Sequence, residues 1–118
     1  MTDQELLELA AKAAGYEGVI TEYQNGYCEM GLTNHFKLDG SNVWSPLNND
    51  GDALRLAGTL KIDVLHRHGS VGVRSDDRKF DGYFWESFHE ETASQDAIQA
   101  STRRAIVRAA AAIGEKMP

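Results

Sequence analysis

The chain predicts an α+β fold: a single antiparallel β-sheet of about five strands, built from a hairpin and a meander and packed by three helices. Three observations carry that expectation. Apolar residues recur at helical spacing near both ends and once in the middle. In two other stretches the period shifts to two, and the links there are too short for parallel crossovers. With 118 residues, 42% hydrophobic and 25% charged, one globular domain can bury a core without metal or disulfide support.

The first helix is expected over residues 3–14. Thr2 and Glu5 have capping-box spacing, Leu6, Leu9, Ala10 and Ala13 share a face, and Gly15 suits the C-terminal cap. In "GVITEYQNGYCEMGL", β-branched and aromatic residues flank Asn25-Gly26, which predicts strands near 18–24 and 27–32 around a hairpin turn. A further turn is expected at Asp39-Gly40.

"VWSPLNNDGDALRLAG" raises the choice between a metal loop and a helix start. A calcium loop with Gly51 at its sixth position would put Pro46 first and Ala57 twelfth, and neither carries a side-chain oxygen. A helix start fits better. Pro46 fixes the entry, Asn49 or Asp50 caps the first amides, Asp52 complements the helix dipole, and Ala53, Leu54, Ala57 and Leu60 form the buried stripe. From Lys61 the alternation predicts strands near 61–67, 70–74 and 82–88. The alanine-rich C-terminal segment predicts a long helix with Ile98, Ala105, Ile106, Ala109, Ala110, Ile113 and Met117 near one stripe.

Composition narrows the function. The net charge of −6 disfavours generic nucleic-acid binding, and no apolar run reaches membrane-spanning length. The single cysteine, Cys28, cannot close an internal disulfide, so a cytoplasmic protein is expected. The charge is uneven: residues 1–53 carry −7 and residues 54–118 carry +1. A basic face in the second half suits an acidic protein or a small anion.

Few motifs suggest catalysis, and no cofactor is called for. His66 and His68 would share one strand face and could offer two imidazoles to a metal, although the same parity continues the apolar face of Ile62 and Val64. Glu86 and His89 have the E-x-x-H spacing of helical di-iron sites, but here the spacing falls on a strand and occurs once. Cys28 reads as a packed thiol. The strongest site candidate is a binding face. Tyr83 and Trp85 share strand parity, and Arg67 and Arg74 lie on neighbouring strands, a set able to grip a partner by stacking and charge. The same aromatics could instead fill the core. Arg103, Arg104 and Arg108 read as a solvated basic patch on the last helix.

"ELLELAAKAAG", "WSPLNNDGDALRL" and "TRRAIVRAAAAIG" together resemble a family of small phage and prophage proteins described as an α/β/α sandwich domain. The resemblance implies helices on both sides of a sheet, and it brings no catalytic set. It also implies accessory work on host machinery, including defence systems. The expected role is thus a non-enzymatic phage accessory protein in the host cytoplasm that binds a host protein or a small anionic ligand. The alternatives are metal-assisted hydrolysis through His66 and His68 with Glu86 or His89, and a structural role through self-association into a homo-oligomer.

Overall fold

The computed structural model describes residues 1–33, 35–37, 40–75, 84–87 and 95–118. In chain order they form α1 (Asp3–Ala14), β1 (Gly18–Glu22), β2 (Cys28–Leu32), β3 (Val43–Trp44), α2 (Asp50–Leu60), β4 (Ile62–Arg67), β5 (Ser70–Ser75), β6 (Phe84–Ser87) and α3 (Gln95–Glu115). The class, the three helices and the antiparallel pairing agree with the sequence reading. The sheet does not: the strands pair as two three-stranded sheets, β1-β2-β3 and β4-β5-β6, rather than as one. β3 pairs with β2 over only Val43 and Trp44, which leaves little edge for a further strand. The 11 residues of α2 then carry the chain about 16 Å before β4 begins.

Local chemistry sets most boundaries. Thr2 caps α1 by accepting from the Glu5 amide, and Gly15 follows the helix at φ 80°, with the amides of Gly15 and Tyr16 closing on the carbonyls of Lys12 and Ala11. That is a Schellman ending, and it needs a residue at ease with positive φ. In the first hairpin only Gly26 is left-handed, at φ 86°. Its amide donates to the Tyr23 carbonyl and Tyr23 pairs with Tyr27, so the turn has three residues rather than a tight two-residue form. The predicted 39–40 turn survives in part: Gly40 has φ 84° and donates to Lys37, while Asp39 lies outside the described residues.

The core is arranged around paired helices. α1 packs on β2 of the first sheet, α3 packs on all three strands of the second, and the two helices pack most extensively on each other, with α2 against α3. The resemblance implies helices on opposite faces of one sheet. Among the described residues, α1 and α3 instead each cover a different sheet. Leu6, Leu7, Ala10 and Ala11 of α1 and Ala105, Ile106, Val107, Ala109, Ala110, Ala111 and Ile113 of α3 are buried. Such wide stripes follow from contact on two sides. Met117, predicted to extend the α3 stripe, lies beyond the helix end and is 39% exposed. In α2 the buried set is Ala53, Leu56, Ala57 and Leu60, while Leu54 is 71% exposed. Leu54 is one residue on from Ala53, a rotation of about 100° off the packed face.

The helix start in "NNDGD" has two separate parts. Asn49 is the cap, its side chain accepting from the Asp52 amide at 2.9 Å. Asp52 is fully buried, and its carboxylate accepts from the Ser45 amide at 2.9 Å, from Lys37 Nζ at 3.1 Å and from Arg55 Nη2 at 2.8 Å. Ser45 Oγ in turn donates to the Cys28 carbonyl at 2.7 Å, which ties the α2 entry to β2.

Two glycine substitutions should separate packing from propensity. A Cβ on Gly114 would stand 2.0 Å from the Leu9 carbonyl oxygen, so Gly114→Ala should destabilise by about 1–3 kcal/mol although helix propensity favours alanine. A Cβ on Gly58 in α2 meets nothing, and Gly58→Ala should stabilise by about 0.5–1 kcal/mol. Denaturant unfolding of both variants checks the pair. Asp52→Ala, which leaves Lys37 and the Ser45 amide without their shared partner, should cost about 3–5 kcal/mol, with no dependence on calcium.

Candidate functional site

Strand register decides which side chains the second sheet turns outward. Val64 pairs with Val73 and Phe84 pairs with Val73, so these residues share the face that packs on α3, where Val71 and Val73 are completely buried. Asp63, Leu65, Arg67, Gly72, Arg74 and Trp85 have the opposite parity and share the outer face.

At the centre of that face lies Trp85. It pairs with Gly72, and a Cβ built on Gly72 would sit 2.6 Å from the indole ring, so the ring lies flat over bare backbone. Arg67 stacks above it with its guanidinium carbon 5.3 Å from the ring centroid. Trp85 keeps 36% of its surface exposed. Arg74 lies one strand pair away, with Nε 3.3 Å from an Asp63 carboxylate oxygen. Three of the four predicted binding residues, Arg67, Arg74 and Trp85, thus share one face, and Tyr83 lies outside the described residues. The choice between core and outward placement resolves as outward for Trp85, while Phe84 turns inward. A guanidinium stacked on a partly exposed indole presents a charged group and an apolar edge at one place.

The histidines separate. His66 is on β4 and faces the α3 side, where it lines a groove of about 380 Å³ with Leu54, Val64, Ile98 and Arg103. His68 is in the turn between β4 and β5 rather than on a strand face, because the hairpin closes at Arg67 and Ser70. The shared-face prediction for His66 and His68 is therefore wrong. Glu86 shares the face of His66, but Val71 stands between them in register, and the Glu86 carboxylate lies 3.3 Å from Arg108. His89 lies outside the described residues. Among the described residues no group of three or more His, Cys, Asp or Glu converges as a metal site.

The basic patch on α3 is also different from its reading. Arg103 binds the Leu47 carbonyl and Asp50, Arg104 binds Asp3, and Arg108 binds Glu86 and the Trp85 carbonyl while lying over the Phe84 ring. These residues join elements rather than forming a solvated face. Cys28 is buried, and burial pushes its thiol pKa up.

One feature of the first sheet's surroundings escapes the sequence. Tyr16, His35, Phe36, Lys37, Trp44 and Arg55 line a recess of about 160 Å³. They come from a helix exit, a loop, a two-residue strand and α2, and no periodicity links them. The unusual concentration of rings and cations becomes visible only when Asp52 draws Lys37 and Arg55 together.

Burial of Cys28 generates a chemical test. Its thiolate is disfavoured and its sulfur shielded, so a thiol-specific reagent at neutral pH should modify the native protein far more slowly than the denatured chain. No helix among the described residues is long and apolar enough to cross a membrane. In comparison with protein families, characterised proteins and solved structures, the chain matches none.

Proposed function

We propose that this chain is a phage or prophage accessory protein that works in the host cytoplasm by binding, without catalysis, an acidic surface of a host protein. The outer face of the second sheet is the docking surface. The observation that carries this reading is the Arg67–Trp85 stack, with a partly exposed indole at its centre and Arg74 beside it. Tryptophan and arginine are the side chains that most often concentrate interface energy, because each buries a large area while keeping directed polar contacts. Charge supports the choice of partner. The molecule is acidic overall, yet Arg67 and Arg74 share this face, so complementarity favours an acidic partner surface. The phage assignment is supported by the three sequence blocks that resemble the sandwich-domain family.

Quantitative affinity capture from host lysate, followed by protein identification, tests the proposal when it is run on variants. Trp85 faces away from the core, so Trp85→Ala should cost only about 1–2 kcal/mol and leave the protein folded, while capture falls to background. Arg74→Glu should weaken capture, and the remainder should depend less on salt because an attraction has been removed. Lys116→Glu, an exposed charge near the C-terminus, should leave capture intact. A folded Trp85→Ala protein that captures the same partner as fully as the unmodified chain would exclude this face.

A further inference from the structure

The recess formed by Tyr16, His35, Phe36, Lys37, Trp44 and Arg55 has a chemistry separate from that of the docking face. Its floor is charged. Lys37 Nζ reaches both oxygens of Asp52, at 3.1 and 3.4 Å, and Arg55 Nη2 reaches one of them at 2.8 Å. Among the described residues one carboxylate thus serves two cations, so this cluster has one more cation than anion in a chain of net charge −6. Asp52 is sealed at 2% side-chain exposure, whereas the Arg55 side chain is 53% exposed. Arg55 has five N–H donors, and the contact with Asp52 engages one nitrogen. The rest of the fork is available at the recess.

The walls are aromatic. Tyr16 meets Trp44 edge-on at 5.2 Å between centroids, and His35 leans over Tyr16 at 4.9 Å. Phe36 stands at the rim with 69% of its surface exposed. An exposed phenylalanine beside an incompletely neutralised guanidinium leaves apolar area uncovered and charge unanswered at one place. A ligand that is both flat and anionic answers both. The volume of about 160 Å³ encloses one ring together with an adjoining anionic group, the rest of a larger ligand staying in solvent, and is well below the few hundred Å³ of sites that enclose drug-sized molecules.

We infer that this recess binds a small aromatic anion, with the planar ring against Phe36 and His35 and the carboxylate or phosphate on Arg55 and Lys37. A nucleoside monophosphate and a simple aromatic carboxylate share this chemistry. Neither the docking face nor its partner enters the inference, so each can fail alone.

The test is a titration of the ¹⁵N-labelled full chain, followed by amide shifts, with adenosine monophosphate, benzoate, adenosine and inorganic phosphate in turn. Saturable shifts confined to residues around Tyr16, Lys37, Trp44 and Arg55 are expected from adenosine monophosphate, benzoate or both. Whichever binds tighter identifies the source of the anion. Arg55→Gln should weaken that binding about tenfold or more, and Phe36→Ala several-fold. Both side chains are largely exposed, so the variants should fold, and dispersion of the same spectra verifies it. The inference is overturned if neither ring-bearing anion gives saturable shifts at millimolar concentration. It is equally overturned if inorganic phosphate or adenosine binds as tightly as both, or if the two variants bind unchanged.

Discussion

A single buried carboxylate organises the first half of this molecule. Asp52 lies in the first turn of α2, where free amides and the helix dipole already favour negative charge, and it is removed almost completely from water. Burying such a charge costs several kcal/mol unless donors surround it. Three do: the Ser45 amide, Lys37 and Arg55. The geometric consequence exceeds the energetic one. The Ser45 contact sets the bend through Pro46, and the Ser45 hydroxyl and Asn48 amide both reach the Cys28 carbonyl, tying the bend to β2. Lys37 brings the preceding loop onto the same point. A leucine at position 52 could bury a similar volume, but it would specify none of these arrangements.

The second half has a different organiser, the arginines of α3. Exposed ion pairs contribute roughly 0–1 kcal/mol each, so their number says little about stability. Their distribution says more. Arg103 reaches the start of α2, Arg104 reaches the start of α1, and Arg108 grips β6 by its Glu86 carboxylate, its Trp85 carbonyl and its Phe84 ring. One helix thus sets the position of three other elements. The uneven charge along the chain acquires a partial reason: Asp3 and Asp50 of the acidic half are partners for arginines of the basic half.

What is legible in the sequence depends on how local its cause is. The limits of α1 follow from Thr2 and Gly15, both within one residue of the helix, and sequence and structure agree on them. Strand parity is equally local, and alternation along the chain is enough to group Arg67, Arg74 and Trp85 as one candidate set. β3 spans two residues and generates no period. The partition into two sheets depends on where α2 leads the chain, which alternation cannot express. Asp52 reads as a dipole complement because nothing beside it in sequence announces its burial, and Leu54 reads as core because single-residue errors in helical phase are cheap in sequence and decisive in space. The recess is invisible for the strongest reason: its six side chains come from four segments and have no common spacing.

The two proposed surfaces place opposite demands on their arginines. On the outer sheet face Arg67 lies over an indole and Arg74 beside an exposed aspartate, so both remain largely solvated and long-range attraction falls with salt. At the recess, Arg55 is already bound to a buried carboxylate, and any arriving anion comes near Asp52 as well as near the cations. Two like charges about 6 Å apart repel by roughly 3 kcal/mol at an effective dielectric constant of about 20. That repulsion cancels part of the attraction to Lys37 and Arg55, which is about 4 kcal/mol each at roughly 4 Å in the same dielectric. Asp52 therefore weakens the pull on every anion alike, and charge alone does not distinguish one anion from another. The rings of Phe36 and His35 add the apolar contact, so the site requires the anion for affinity and discriminates among anions by the flat shape attached to them.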